Sequence, residues 1–244
     1  DELTRKFSVP VETVTADLLR PQKAERCVQR AVERFGRLDV VAMCAGDPPR
    51  GRLWDVPLEQ WQQALQVKLL GTVELARAAL PVMRRQGFGR FLVIAGFNGR
   101  APTPAGVVGS VINAGLANFV AAMAQEMAPH GVTVNVVDPH YTRTRRWRWS
   151  VEELQRQGLS PDEAERKAAE RLPIRRAIEP EEVADLVAFL ASLPGRSHHG
   201  GSRSHQRRSA GAGTLNCATG PASSVSQERS AMAANLASCD RVWG

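Results

Sequence analysis

Over the first 192 residues, short β-rich apolar runs alternate with longer stretches whose apolar positions recur every three or four residues. This is the pattern of an α/β fold around a mostly parallel sheet. VETVTADL (11–18) reads as a strand. In PQKAERCVQRAVERFG (21–36), Ala24, Cys27, Val28, Ala31, Val32 and Phe35 share one helical face, and Gly36 marks the stop. LDVVAMCAG (38–46) is an apolar run closed by Gly46, which predicts a buried strand and a tight loop. A helical pattern covers 58–85, GRFLVIAG (89–96) predicts the next strand, and GVTVNVVDP (131–139) another. Between those two strands, residues 107–129 carry Ile112, Leu116, Phe119, Val120, Met123 and Met127 at helical spacing. Two later helices have start signals. SPDE (160–163) combines an N-cap Ser, a Pro at the first position and a capping-box Glu, and EPEEVADLVAFLAS (179–192) has Pro180 at the same place. After Ser192 the periodicity stops, and the Ser, Ala, Gly and Arg of 193–244 predict a disordered tail behind a single domain at 1–192.

Charge adds little to the domain. The formal net charge is +7, but residues 195–244 hold six Arg against Glu228 and Asp240, so +4 of it belongs to the tail. Cys27, Cys44, Cys217 and Cys239 lie far apart with no CxxC spacing, which predicts neither a zinc site nor a disulfide framework and points to the reducing cytoplasm. DELTRKF at the start is not a signal pattern, and no apolar run looks long enough to cross a bilayer. A first residue of Asp rather than Met suggests that something upstream is absent.

Between Gly46 and Thr144 the chain resembles the short-chain dehydrogenase/reductase family. TADLL is similar to the family's strand ending in an adenine-contacting Asp, here Asp17. LDVVAMCAG resembles the strand and Asn-Asn-Ala-Gly loop, with Met43 and Cys44 in place of both asparagines before Ala45 and Gly46. QVKLLGTVELARAALPVM resembles the central helix and GRFLVIAGFNGR the catalytic-serine strand. VTVNVVDPHYTRT resembles the loop over the nicotinamide, which gives Pro139, Thr142 and Thr144 as cofactor contacts, and EPEEVADLVAFLAS resembles the penultimate helix. The resemblance covers 1–192. It implies a Rossmann-type doubly wound parallel sheet flanked by helices, a mobile substrate lid at 143–176, and hydride transfer between NAD or NADP and a small alcohol or carbonyl. It also implies a homo-oligomer formed through helices 58–85 and 107–129.

The residues that carry the family's chemistry are replaced. GSVINAGL aligns with Tyr-Ser-x-x-Lys-Ala-x-Leu, which puts Gly109 at the Tyr position and Asn113 at the Lys position. Gly96 stands at the Ser position and Lys68 at the helix Asn position, and Tyr141, the chain's one tyrosine, lies outside the motif. The standard proton relay is therefore unavailable, which implies an impaired enzyme or a non-catalytic relative. Lys68 and Asn113 exchange the family's two residue types. Either the exchange keeps an ammonium and an amide beside the cofactor ribose, or Lys68 is exposed on a drifted helix, which is the simpler expectation. Tyr141 is the only phenol that can supply a proton, although packing is the plainer role for it.

The cofactor site is incomplete as well. No Thr-Gly-x-x-x-Gly-x-Gly loop precedes Asp17, so the pyrophosphate cradle at a helix N-terminus and a βαβ unit of about 30 residues or more are missing. In the family's strand order 3-2-1-4-5-6-7, the strand at 11–16 then has no usual partner. It is expected either to pair directly with the strand at 38–42 or to leave the chain poorly folded.

Two basic stretches allow rival explanations. RTRRWRWS (143–150) interleaves Arg with Trp147 and Trp149 in a way that suits nucleic acid, but its place at the start of the lid favours Trp caps over the active site, with Arg solvated or meeting an anionic substrate. SHHGGSRSHQRR (197–208) holds His198, His199 and His205 but no Cys or acidic ligand, so no metal site is expected. Read one nucleotide later, its codons permit Ile-Thr-Gly-Ala-Ala-Val-Pro-Ile-Asn-Gly-Gly, the family's last strand. A frameshift between Ala188 and Ser197 is the preferred account, and an evolved disordered tail is the alternative.

Overall fold

The computed structural model describes residues 9–20 and 23–192. The tail, with its histidines, Cys217, Cys239 and the frameshift expectation, lies outside the described residues. The elements in order are α1 (Lys23–Phe35), β1 (Val40–Met43), α2 (Leu58–Ala64), a π-helical segment (Leu65–Leu70), α3 (Gly71–Gln86), β2 (Gly89–Ile94), a 3-10 turn (Phe97–Gly99), α4 (Val107–Met127), β3 (Val132–Val137), α5 (Arg145–Arg156), α6 (Pro161–Glu170) and α7 (Pro180–Ser192).

The strands form a parallel sheet in the order β1-β2-β3, with Val41 opposite Phe91 and Phe91 opposite Val134. The continuous apolar run of β2 follows from its central place: Phe91, Leu92 and Val93 are all buried, because both faces of the strand are covered. Phe91 and Val93 point to one face, where Ala79 and Met83 of α3 and Ile112 and Leu116 of α4 complete the main core. Leu92 points to the other face and meets Val187 and Leu190 of α7. Helices on both faces of a parallel sheet give the doubly wound arrangement expected from the alternating pattern.

The strand expected at 11–18 is not formed. Residues 9–17 carry no regular structure, and β1 has β2 as its one described neighbour. A strand is held by ladder bonds to an adjacent strand, and none lies beside this segment among the described residues. Instead Glu12 pairs with Arg30 of α1 at 2.8 Å, and Leu18 lies against Gly71 at the start of α3. Direct pairing with β1 is thereby corrected, and the core forms without it.

The helical pattern at 58–85 is one helical run interrupted by the π segment at Leu65–Leu70. The expectation that no stretch is long and apolar enough to cross a membrane also needs correcting, since residues Val107–His130 pass that test with a mean hydropathy of 1.7. In this fold the segment is a core helix, with Val108, Ile112 and Leu116 fully buried against the sheet.

The segment expected to be a lid is a helical pair with its own small core, in which Trp147, Val151 and Leu154 of α5 meet Ala164 and Ala168 of α6. The capping box at the start of α6 forms as the sequence indicates, with the Glu163 N–H donating to Ser160 Oγ and the Ser160 N–H donating to Glu163 Oε2. Trp147 does not cap the site. It is 2% exposed, and its Nε1 donates to both oxygens of Glu165 at 2.9 and 3.0 Å.

Candidate active site

Parallel strands bring their carboxyl ends to one edge of the sheet, where the loops that follow can converge. Here those loops are 44–57 after β1, 95–106 after β2 and 138–144 after β3.

Lys68 reaches this edge from the π-helical segment. It is only 6% exposed, and its Nζ donates to the Ala95 carbonyl at 3.0 Å, at the end of β2. Space for it is made by Gly46, whose φ of +106° suits glycine and where a Cβ would stand 2.6 Å from Lys68 Cβ. Burial pushes the ammonium down to about 8. Arg146 adds to this, while Asp47, Asp138 and Cys44 act in the opposite direction. The expectation of an exposed lysine is thus corrected.

Asn113 comes to the same place from α4 and is 4% exposed. Its Nδ2 donates to Asn98 Oδ1 at 2.6 Å, while its own Oδ1 is buried with no described partner. Gly96 and Asn113 are coupled. A Cβ on Gly96 would stand 2.7 Å from Asn113 Nδ2, so a serine fits there only if the amide turns away. A Cβ on Gly109 would likewise meet Asn98 Nδ2 at 3.0 Å. The Asn98–Asn113 amide pair therefore occupies the space toward which the Ser and Tyr positions open. Asp138 closes the floor, accepting from the Gly96 N–H at 3.3 Å and from Arg100 Nε at 3.0 Å.

The other expected site residues lie apart from this pair. Tyr141 is 37% exposed, and its described contacts are with Arg50, His140 and Trp147 rather than with Lys68 or Asn113. It also lines an apolar cleft of about 440 Å³ that includes Phe97, His140, Leu172, Ile174 and Leu186. The Pro139 carbonyl accepts from the Phe97 N–H. The hydroxyls of Thr142 and Thr144 donate to the carbonyls of His140 and Thr142 respectively, and Thr144 is the N-cap residue of α5. Asp17 is exposed and bonds the Leu19 N–H at 3.0 Å, beside Arg20. Ala45 is half-buried in the loop ahead of Gly46.

Sequence reasoning missed Asn98, Arg50 and Asp47, whereas Arg146 belongs to the stretch expected to be solvated or to meet an anionic substrate. An Asn two residues past Gly96 was visible, but its pairing with Asn113 depends on how α4 crosses the end of β2. Arg50 and Asp47 follow β1 in a loop with no periodic signal. That loop is fixed by tertiary contact, since the Gly51 N–H donates to the Ala105 carbonyl at 2.9 Å.

A dinucleotide fits one half of this site. Lys68 commits one of its three N–H groups to Ala95, and the bare Asn113 Oδ1 needs a donor. A ribose hydroxyl matches both needs. Among the described residues no Gly-rich loop is present to hold the pyrophosphate.

The family model described as "Enoyl-(Acyl carrier protein) reductase" matches residues 1–201. The chain is 34% identical to the short-chain reductase protein NovJ of Streptomyces niveus over 180 residues, covering 73% of this chain and 66% of that protein. It is also 34% identical to a monensin polyketide synthase protein of Streptomyces virginiae described as a ketoacyl reductase, over 68% of this chain and 64% of the relative. The chain thus spans just under two thirds of the length of both proteins. Among solved structures it is similar to YwfH, an NADPH-dependent reductase involved in bacilysin biosynthesis, with a TM-score of 0.71 and 26% identity, covering 78% of this chain and 74% of that one. The extent of the family match, the parallel sheet with helices on both faces and the residues converging at its carboxyl edge agree: the chain belongs to the short-chain dehydrogenase/reductase family of oxidoreductases.

Proposed function

We propose that this chain forms the substrate-side half of an NAD(P)-dependent reductase for small carbonyl compounds, in which Lys68 replaces the family's tyrosine as proton donor. The observation that carries this is the buried Lys68 ammonium, lowered to about 8 and bonded to the Ala95 carbonyl, next in the chain to Gly96, beside which the Asn113 amide lies with an unsatisfied oxygen. An acid with a pKa near the working pH is both protonated and able to give its proton up. In carbonyl reduction the Lys68 Nζ–H bond breaks as the substrate oxygen takes the proton, and the resulting amine recovers a proton from solvent. Asn113 Oδ1 accepts a ribose hydroxyl, and Asn98 holds the amide in that orientation through the bond at 2.6 Å. NAD(P), when bound, supplies the hydride. The ketoacyl reductase description of one relative and the NADPH dependence of another favour this chemistry. Self-association through α2 to α4 belongs to the same proposal.

A non-catalytic binding role is the alternative, favoured by the Asn98 amide lying over Gly109 where a phenol would stand. The two separate in a titration of NADH and NADPH fluorescence combined with turnover of a small 3-oxo ester. It should be run on the chain and on a form extended at its N-terminus by a relative's Gly-rich βαβ unit. The reductase expectation is turnover that falls as pH rises through about 8 and is lost in Lys68→Met. Dinucleotide binding without turnover, or no binding in either form, leaves the non-catalytic role.

A further inference from the structure

The loop after β1 and the start of α5 bring more positive charge to the mouth of the site than nearby carboxylates neutralise. Asp47 is shared by two guanidiniums, at 3.1 Å from Arg145 Nη2 and 2.7 Å from Arg146 Nη1. Arg146 Nη2 also donates to the Pro48 carbonyl at 3.1 Å, and Pro48 lies 3.7 Å from where a Cβ on Gly109 would be. Arg146 is therefore separated by Pro48 alone from Gly109, the position the resemblance assigns to the family's tyrosine.

Arg50 is the distinctive member. Its guanidinium lies over Trp149, 4.5 Å from the ring centroid, and 5.9 Å from that of Tyr141. Its Nη1 donates to Ser150 Oγ at 3.1 Å and its Nη2 to the Tyr141 hydroxyl at 3.4 Å. No described carboxylate lies within ion-pair distance of it. Glu153, which feels the charge of Arg50, bonds Arg156 instead. An arginine held by two aromatic rings and two hydroxyls, yet without a counter-ion, has its rotamer fixed in advance and its charge still unspent. Burial lowers Arg146, with Asp47 opposing and Arg50 adding to the shift, and Arg146 in turn helps to lower Lys68.

We propose that Arg50 and Arg146, with the Tyr141 hydroxyl, form a binding site for an oxyanion carried by the substrate, a carboxylate or a phosphate, while Ser150, which donates to the Arg146 carbonyl, positions Arg50. Planar guanidiniums match both groups through paired N–H donors. The carbonyl to be reduced would then lie between this anchor and Lys68, a placement that rests on the reductase proposed above. Because the anchor is an equilibrium binding site, it can be tested without cofactor or turnover.

Titrations of the full chain, followed by calorimetry, should use three probes: malonate, inorganic phosphate and the neutral diketone acetylacetone. The expected result is saturable binding of malonate or phosphate, weakened at least tenfold in Arg50→Gln and unchanged in Arg148→Gln, whose side chain is exposed on the same helix. Preference between malonate and phosphate identifies the source of the oxyanion. Arg146→Lys, which keeps the charge but loses the fork, should weaken binding as well. Thermal unfolding of each variant separates loss of the site from loss of the fold. Binding of acetylacetone as tight as that of the anions, no anion binding, or affinity unchanged in a folded Arg50→Gln protein would overturn the site. Anion binding without turnover would overturn only the reductase proposal, and turnover without anion binding would overturn only this one.

Discussion

An ammonium at 6% exposure is destabilising at neutral pH, and Lys68 carries this cost in the middle of the site. Its folded value of about 8 lies below the ordinary 10.5. Between those values the unfolded chain binds more protons than the folded one, so the Lys68 contribution to stability rises as pH climbs from about 8 to about 10.5. The shift corresponds to about 3 kcal/mol at neutral pH, and removing the ammonium would cost about 1 kcal/mol by taking its donor from the Ala95 carbonyl. Lys68→Met is accordingly expected to stabilise the protein by roughly 2 kcal/mol at pH 7, an advantage that shrinks toward zero near pH 10. Urea unfolding of both proteins across that range measures it. A destabilised Lys68→Met at pH 7 would mean that the ammonium is compensated. A residue that weakens the fold yet shares its pocket with an unsatisfied amide oxygen is characteristic of a functional position.

The buried apolar side chains of the sheet and those of α5 and α6 form separate clusters. The sheet with α3, α4 and α7 shares continuous cores across both faces, whereas α5 and α6 bury Trp147, Val151 and Leu154 among themselves. Trp147→Ala removes the largest member of the lid core along with the bond to Glu165, for which the expected loss is roughly 3 to 5 kcal/mol. That loss should be local. Amide exchange should accelerate across 145–170 while protection of β2 is retained, and a uniform loss would show that the lid and the sheet fold as one unit. The π-helical segment has a related positional role. It interrupts the i to i−4 ladder just where Lys68 leaves the helix, and such interruptions recur at functional sites.

For the whole molecule, α2 to α4 leave large apolar side chains uncovered: Leu58 is 68% exposed, Val111 51% and Leu70 46%. Exposed apolar surface on adjoining helices favours association with a second copy. Sedimentation equilibrium is expected to show a mass above that of one chain, reduced to the single-chain value by the double change Leu70→Lys and Val111→Lys. A wild-type protein that sediments as one chain would set aside this interface.

Side-chain polarity along the chain was enough to establish the alternation of strands and helices, the inward face of α4 and, except for the exposed Phe35, that of α1, the burial of β2 and the start of α6. Each of these depends on local periodicity or on a cap read within a few residues. The fate of 11–18 was not legible, because a β-prone segment becomes a strand only when another strand stands beside it. Nor was the burial of Lys68, since a lysine at a helical position reads as solvated until the π turn, Gly46 and the Ala95 carbonyl enclose it. The substitutions at Gly96, Gly109 and Asn113 looked like separate losses in the sequence. In the fold they are one arrangement, in which the missing side chains make room for the Asn98–Asn113 pair, because contacts between residues distant in the chain exist only once β2 and α4 have packed.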